Sequence, residues 1–203
     1  MKACAGILAL QGDYDKHSKS LSRLGLDARL VRQPADLQNL DMIVLPGGES
    51  TTMSLLLDTT GLRAPLHDAI AAGLPTLATC AGAILLARRL QGDTGSRKVQ
   101  SLGLLDAVVD RNSYGRQVDS FETELEIDWE LIGMPADDPP IHAWFIRAPR
   151  ILEPGPEVQV VARHGAEIVA VRQANILAIS FHPELSRDTR LHQSVLGFGT
   201  AAV

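Results

Sequence analysis

A chain of 203 residues with 45% hydrophobic and 21% charged side chains has the size and composition of one ordinary globular domain with a core of its own. With 19 Lys and Arg against 24 Asp and Glu, the formal charge is −5, which excludes the broad basic face of a general nucleic-acid binder. No run approaches the ~20 apolar residues that cross a bilayer, and two cysteines, Cys4 and Cys80, make no disulfide framework, so the reading is a soluble, cytoplasmic protein without a membrane partner.

The opening "MKACAGILALQGD" has one lysine and an apolar stretch, as a signal peptide does. The stretch is short and Gln11-Gly12-Asp13 breaks it, so it reads as a first buried strand. "YDKHSKSLSRLG" has helical spacing and ends near Gly25; "DARLVR" is a second short strand. "DMIVLPGG" is a third strand that enters a Gly-Gly turn, and "ESTTMSLLLDTTG" follows as a helix with Ser and Thr available to cap it. "HDAIAAG" is helical, "LPTLATC" is a fourth strand, and "AGAILLARRLQG" another helix. This alternation predicts an α/β protein, a three-layer, doubly wound sheet with helices on both faces.

The second half is mostly extended: "GLLDAVVDRN", "VDSFETELEI", "IHAWFIRAPRILE" and the long "VQVVARHGAEIVAVRQANILAISFHPEL". These read as antiparallel additions that make the sheet mixed, and "RDTRLHQSVLGFG" closes the chain as a helix. No Pro/Ser/Gly-rich linker divides the halves, so residues 1–203 are expected to form a single domain. "GMPADDPPIH" is the expected mobile surface loop.

Ligands of open parallel sheets bind beyond the carboxyl ends of the strands. Three chemically loaded turns fall there: "PGGEST" after the third strand, "TCAG" after the fourth and "FHPEL" after the last. A cysteine on a strand-to-helix turn with small neighbours has the form of a nucleophile elbow, and the helix starting at Ala81 aims backbone N–H groups toward the sulfur. In an extended "FHPE", His182 and Glu184 share a face while Pro183 points away, so the carboxylate can orient the imidazole. The paired glycines of "PGGEST" let backbone N–H groups turn toward a ligand, as an oxyanion hole requires, and the missing lysine rules out a Walker A loop. Taken together, Cys80, His182 and Glu184 make a Cys-His-Glu triad. Cys4, in a plain apolar strand, reads as a packing residue, and His17, His67, His142, His164 and His192 as solvated or packing histidines.

These motifs resemble the class I glutamine amidotransferases, and within them the glutaminase subunits of pyridoxal 5'-phosphate synthases. "LALQGDYDKH", "LPGGESTTM", "TCAGAILLA", "LGLLDAVVDRNSYGRQVDSFE", "FIRAPRILE" and "SFHPELSRDTR" carry the resemblance over nearly the whole chain. It implies a flavodoxin-like fold and hydrolysis of L-glutamine to glutamate and ammonia, with no cofactor and no metal. It makes Cys80 the nucleophile with His182 and Glu184 its partners. It places Gly48, Glu49, Ser50, Arg111, Ile146 and Arg147 around glutamine, with Gly48 and Ala81 at the oxyanion. It also implies that ammonia passes to a separate (β/α)₈-barrel synthase subunit. An arginine suits the α-carboxylate of glutamine through paired hydrogen bonds; Arg88, Arg89, Arg116 and Arg163 read as surface arginines. Ala78 stands where the family has glycine, two before the nucleophile. Two other readings stay open: a glutaminase serving another ammonia-using synthase, and a non-catalytic regulatory protein on the same fold.

Overall fold

The computed structural model describes residues 2–92, 98–111 and 120–199; the whole of "NSYGRQVD", Arg116 included, lies outside them. The first half forms the elements its pattern predicts: β1 (Cys4–Leu8), α1 (Tyr14–Arg23), β2 (Asp27–Val31), β3 (Met42–Leu45), α2 (Ser50–Thr59), α3 (Arg63–Ala71), β4 (Thr76–Thr79) and α4 (Ala81–Leu86). β1, β3 and β4 are buried at every position, the mark of parallel strands covered on both faces. Their side chains alternate between two cores. Leu8, Ile43, Leu45 and Ala78 face α2, α3 and α4. Ile7, Met42, Val44 and Leu77 face the side of Leu21 on α1 and of Leu191 and Val195 further on.

α4 stops at Leu86, short of the helix expected over "AGAILLARRLQG", and the chain continues as β5 (Ala87–Gln91). Every residue of α4 is buried. A helix carried onward would take Arg88 and Arg89 into that dry surrounding, whereas the strand, shifted in register between Ala87 and Arg89, lets them meet Asp106 at 2.7 Å and Glu153 at 2.6 Å.

Beyond it lie β6 (Leu105–Asp110), β7 (Phe121–Leu125), β8 (Ile141–Phe145), β9 (Arg150–Leu152), β10 (Gln159–His164), β11 (Glu167–Gln173), β12 (Ile176–Ile179) and α5 (Arg190–Leu196). The main sheet runs β2-β1-β3-β4-β12-β11-β9-β6-β5, with β10 also on β11. β6, β9, β10, β11 and β12 make the expected antiparallel pairs, but β5 and β6 are parallel. β7 and β8 do not join this sheet; they form a two-stranded ribbon of their own. Alternate β8 residues (Ile141, Ala143, Phe145) are buried on the second core beside Phe181, so the ribbon covers that face and exposes its other side. The "GMPADDPPIH" loop is tied at its end by Arg190, which donates to the Pro139 carbonyl at 2.8 Å.

Chain order reverses between β1 and β3, where β2 lies outward of β1 on one side and β3 and β4 on the other. This switch point opens a crevice at the strands' carboxyl ends. No helix among the described residues is long and apolar enough to cross a membrane.

Gly82 sets how closely α4 approaches β3: a Cβ there would collide with the Leu45 carbonyl. Gly82→Ala is therefore expected to lower stability by roughly 1–3 kcal/mol, the range for overpacking a close-fitting core. Urea unfolding measures it, and an unchanged midpoint would contradict the close approach.

Candidate active site

Cys80 closes β4 and opens α4. Its amide still donates to the Ile179 carbonyl at 2.8 Å, continuing the sheet, yet its backbone has φ 48 and ψ −104. A left-handed φ at a non-glycine residue is strained and persists only where the surroundings impose it; here strand pairing on one side and a buried helix on the other do so. The turn lifts the thiol out of the sheet onto the wall of a cavity of about 410 Å³. Arg147, on the same wall, has φ 47.

The expected side-by-side placement of His182 and Glu184 is met by a different backbone. β12 ends at Ile179, and Pro183–Leu185 form one turn of 3-10 helix, where proline's fixed φ and missing N–H suit the first position. Pro183 is buried. The turn folds Glu184 back beneath His182, whose Nδ1 lies 2.7 Å from Glu184 Oε1, and the His182 amide donates to the Trp144 carbonyl at 2.9 Å. The carboxylate is wholly buried and the imidazole nearly so.

Burial alone would pull the His182 pKa down, but its bonds to Cys80 and Glu184 outweigh it and push the value up to about 10. The Glu184 carboxyl is raised by burial and lowered more strongly by the histidines around it, so that it stays ionised. A charged imidazole therefore stands beside the sulfur at neutral pH.

The Gly-Gly turn packs directly against Cys80 and His182. A Cβ on Gly47 would strike the His182 ring and crowd Cys80 Cβ, and one on Gly48 would strike the Gln11 side chain. The Gly47 carbonyl accepts from the Asp13 amide at 3.3 Å, so the Gly48 N–H, across the same trans peptide, points the opposite way. Gln11 Oε1 accepts from the Glu49 amide at 2.6 Å. Glu49, rather than a Ser or Thr, caps α2: its carboxylate accepts from the Thr51 and Thr52 amides at 2.9 and 2.7 Å. Arg111 donates from Nη2 to Thr51 Oγ1 at 3.0 Å.

Cys80, His182, Gly48, Glu49, Ser50, Arg111, Ile146 and Arg147 all line this one cavity. Glu184 lies behind His182, and Ala81 is buried in the first turn of α4. Cys4 is buried in β1. Among the other histidines, His67 and His142 pair with surface carboxylates, and His164 packs on Phe121 and Phe145. His17 and His192, read from sequence as solvated or packing residues, are wholly buried behind Glu184. The signal for His17 was helical spacing, since residue 17 shares a face with Leu21. Gly47, next to both Cys80 and His182, was legible only as half of a Gly-Gly pair. No group of three or more His, Cys, Asp or Glu among the described residues could hold a metal ion.

A thiol on a strained elbow with a charged imidazole beside it can open an amide through a covalent acyl intermediate. Residues 7–197 match the family model described as the SNO glutamine amidotransferase family. The chain is 50% identical to pyridoxal 5'-phosphate synthase subunit PdxT of Deinococcus radiodurans, over 95% of both chains, and 48% identical to the subunit of that name in Corynebacterium jeikeium, over 94% of both. A crystal structure of a glutamine amidotransferase superposes with a TM-score of 0.86 at 41% identity, covering 97% of this chain and 99% of that one. The structure of PurLQS from Thermotoga maritima, at 18% identity and TM-score 0.73 over 98% and 99%, shares the fold.

The Glu49 cap has a pH signature. Burial raises its carboxyl, but the Thr52 and Thr51 hydrogen bonds outweigh this and depress it from 4.5 to about 2. A depressed carboxylate contributes fully above its unfolded pKa and loses that contribution as pH falls through the folded one. Glu49→Ala is expected to cost about 1 kcal/mol at pH 7, with a smaller gap to the parent at pH 3. Urea unfolding at both values measures it; equal gaps would contradict an ionised cap.

Proposed function

We propose that this chain, which belongs to the SNO glutamine amidotransferase family, hydrolyses glutamine with Cys80, His182 and Glu184 as its triad. It is a glutaminase, the subunit of a pyridoxal 5'-phosphate synthase that converts L-glutamine to L-glutamate and ammonia. One observation carries the triad: Cys80, on a left-handed elbow, shares a cavity wall with His182, whose far nitrogen is 2.7 Å from a buried carboxylate.

Glutamine enters the cavity with its side-chain amide toward Cys80. The α-carboxylate pairs with Arg111, which Thr51 holds in place, and Glu49, Ser50, Ile146 and Arg147 close around the remainder. The sulfur attacks the carboxamide carbon, and the resulting oxyanion takes hydrogen bonds from the Gly48 and Ala81 amides, each such donor being worth about 10²–10³ in rate. His182, held by Glu184, gives its proton to the departing nitrogen, and ammonia leaves as the thioester forms. The now neutral imidazole takes a proton from water; the hydroxide opens the thioester, releasing glutamate and restoring the thiolate beside a protonated imidazole. The single domain acts beside a barrel-shaped synthase subunit that receives the ammonia, in the cytoplasm.

Cys80→Ala is expected to abolish glutamate release in the complex with the synthase partner, while thermal unfolding stays near that of the parent. Vitamin synthesis from added ammonium should survive in the same complex. Glutamine turnover persisting in this variant would refute the mechanism.

A further inference from the structure

Behind the triad lies a second line of polar groups that the reaction as described does not use. Glu184 has two carboxylate oxygens; Oε1 faces His182 at 2.7 Å, and Oε2, buried and without a hydrogen bond among the described residues, lies 3.4 Å from His17 Nε2. His17, on α1, is fully buried, and its Nδ1 lies 2.9 Å from Nε2 of His192 on α5, which is also fully buried. Thr79 Oγ1, one residue before the nucleophile, is 3.4 Å from the same His17 Nε2. His192 Nδ1 is buried with no hydrogen-bond partner among the described residues.

Burial holds both rings neutral at physiological pH, His17 at about 3 and His192 at about 4. Each ring therefore carries one proton, and its position decides whether the line works. With the His17 proton on Nδ1, a lone pair on Nε2 would face the carboxylate lone pairs of Glu184. His192 would then have to carry its proton on Nδ1, a buried N–H without an acceptor. With the proton on His17 Nε2, both conflicts vanish: His192 Nε2–H donates to His17 Nδ1, His17 Nε2–H faces Glu184 Oε2, and the unpartnered His192 Nδ1 bears no hydrogen. Glu184 and His192 favour the same tautomers, and the Thr79 hydroxyl, able to donate or accept, suits either.

We infer that His17 is a positioning residue for the glutamine hydrolysis proposed above: as its Nε2–H tautomer, fixed by His192, it turns an N–H dipole toward Oε2 and so biases the Glu184 carboxylate toward His182. The inference rests on that reading of the triad. Because burial holds His17 neutral at physiological pH, its action on Glu184 there is that of an N–H dipole, and His182 supplies the positive charge that keeps the carboxylate ionised. The other ionisable groups acting on the line are His182, which acts on His17 and Glu184, and Asp188 and Arg23, which act on His192.

The test is a cycle of four proteins, each assayed for glutamine hydrolysis in complex with the synthase subunit: the parent, His17→Leu, Glu184→Gln and the double variant. Removing the N–H that faces the buried carboxylate leaves its charge less stabilised, so His17→Leu is expected to lower kcat about tenfold with KM little changed. In the Glu184→Gln background it should add little, because its effect runs through the carboxylate. With its donor gone the carboxylate protonates more readily, so the acid limb of the kcat/KM profile should move to higher pH in His17→Leu. His17→Gln, which keeps an N–H donor, should recover most of the rate. Equal losses in both backgrounds, or a loss with the acid limb unmoved, would overturn the inference. If His17→Leu does not fold, His192→Leu reads the same line: a loss confined to the Glu184 background supports it, and an equal loss in both refutes it. Cys80→Ala in the same assay keeps the two claims apart, since turnover persisting there refutes the triad itself.

Discussion

The 2.7 Å contact between Glu184 and His182 is the constraint on which the rest of the site depends. A carboxylate with no exposed surface loses its hydration, a cost of several kcal/mol, and stays charged only if its partners are close and well aimed. His182 is that partner, and the pair is mutual. Against the opposing pull of burial, the Cys80 sulfur and the carboxylate together push the imidazole pKa up to about 10, and the imidazole helps keep the carboxylate ionised. A neutral, freely rotating imidazole could neither steady negative charge on the sulfur nor hand a proton to nitrogen on demand.

The fold is built around that pair from several directions. The 3-10 turn at Pro183 returns Glu184 under His182, and the β8 backbone holds the His182 amide. α1 and α5 deliver His17 and His192 to the carboxylate's other side. Gly47 leaves room for the imidazole ring, and Gly82 lets α4 approach β3 so that Cys80 reaches its elbow. The strained φ values at Cys80 and Arg147 fall on the cavity wall, where rigid neighbours can sustain them.

Much of this was legible in the sequence because it depends on local rules. Continuous apolar runs marked the buried parallel strands, and alternation with helical spacing marked the doubly wound order. A thiol between a strand and small residues marked the elbow. What escaped depends on distant neighbours. That α4 ends at Leu86 follows from carboxylates at Asp106 and Glu153, far along the chain, that receive Arg88 and Arg89. That β7 and β8 leave the sheet follows from the need to cover one core face, which periodicity alone does not assign. Glu49 is a poorer cap by residue type than its neighbours Ser50 and Thr51, and only the loop's path makes it the one within reach of the free amides. The roles of His17 and His192 arise solely from packing of α1 and α5, elements separated by most of the chain.

The most direct measurement is the titration of His182 followed by nuclear magnetic resonance of its imidazole, in the parent and in Glu184→Gln. The ring should stay cationic from neutral pH up to about pH 10 in the parent, and lose its proton at clearly lower pH once the carboxylate is replaced by an amide. A parent ring that titrates near the ordinary histidine value of about 6.5, or one that titrates identically in both proteins, would contradict the account.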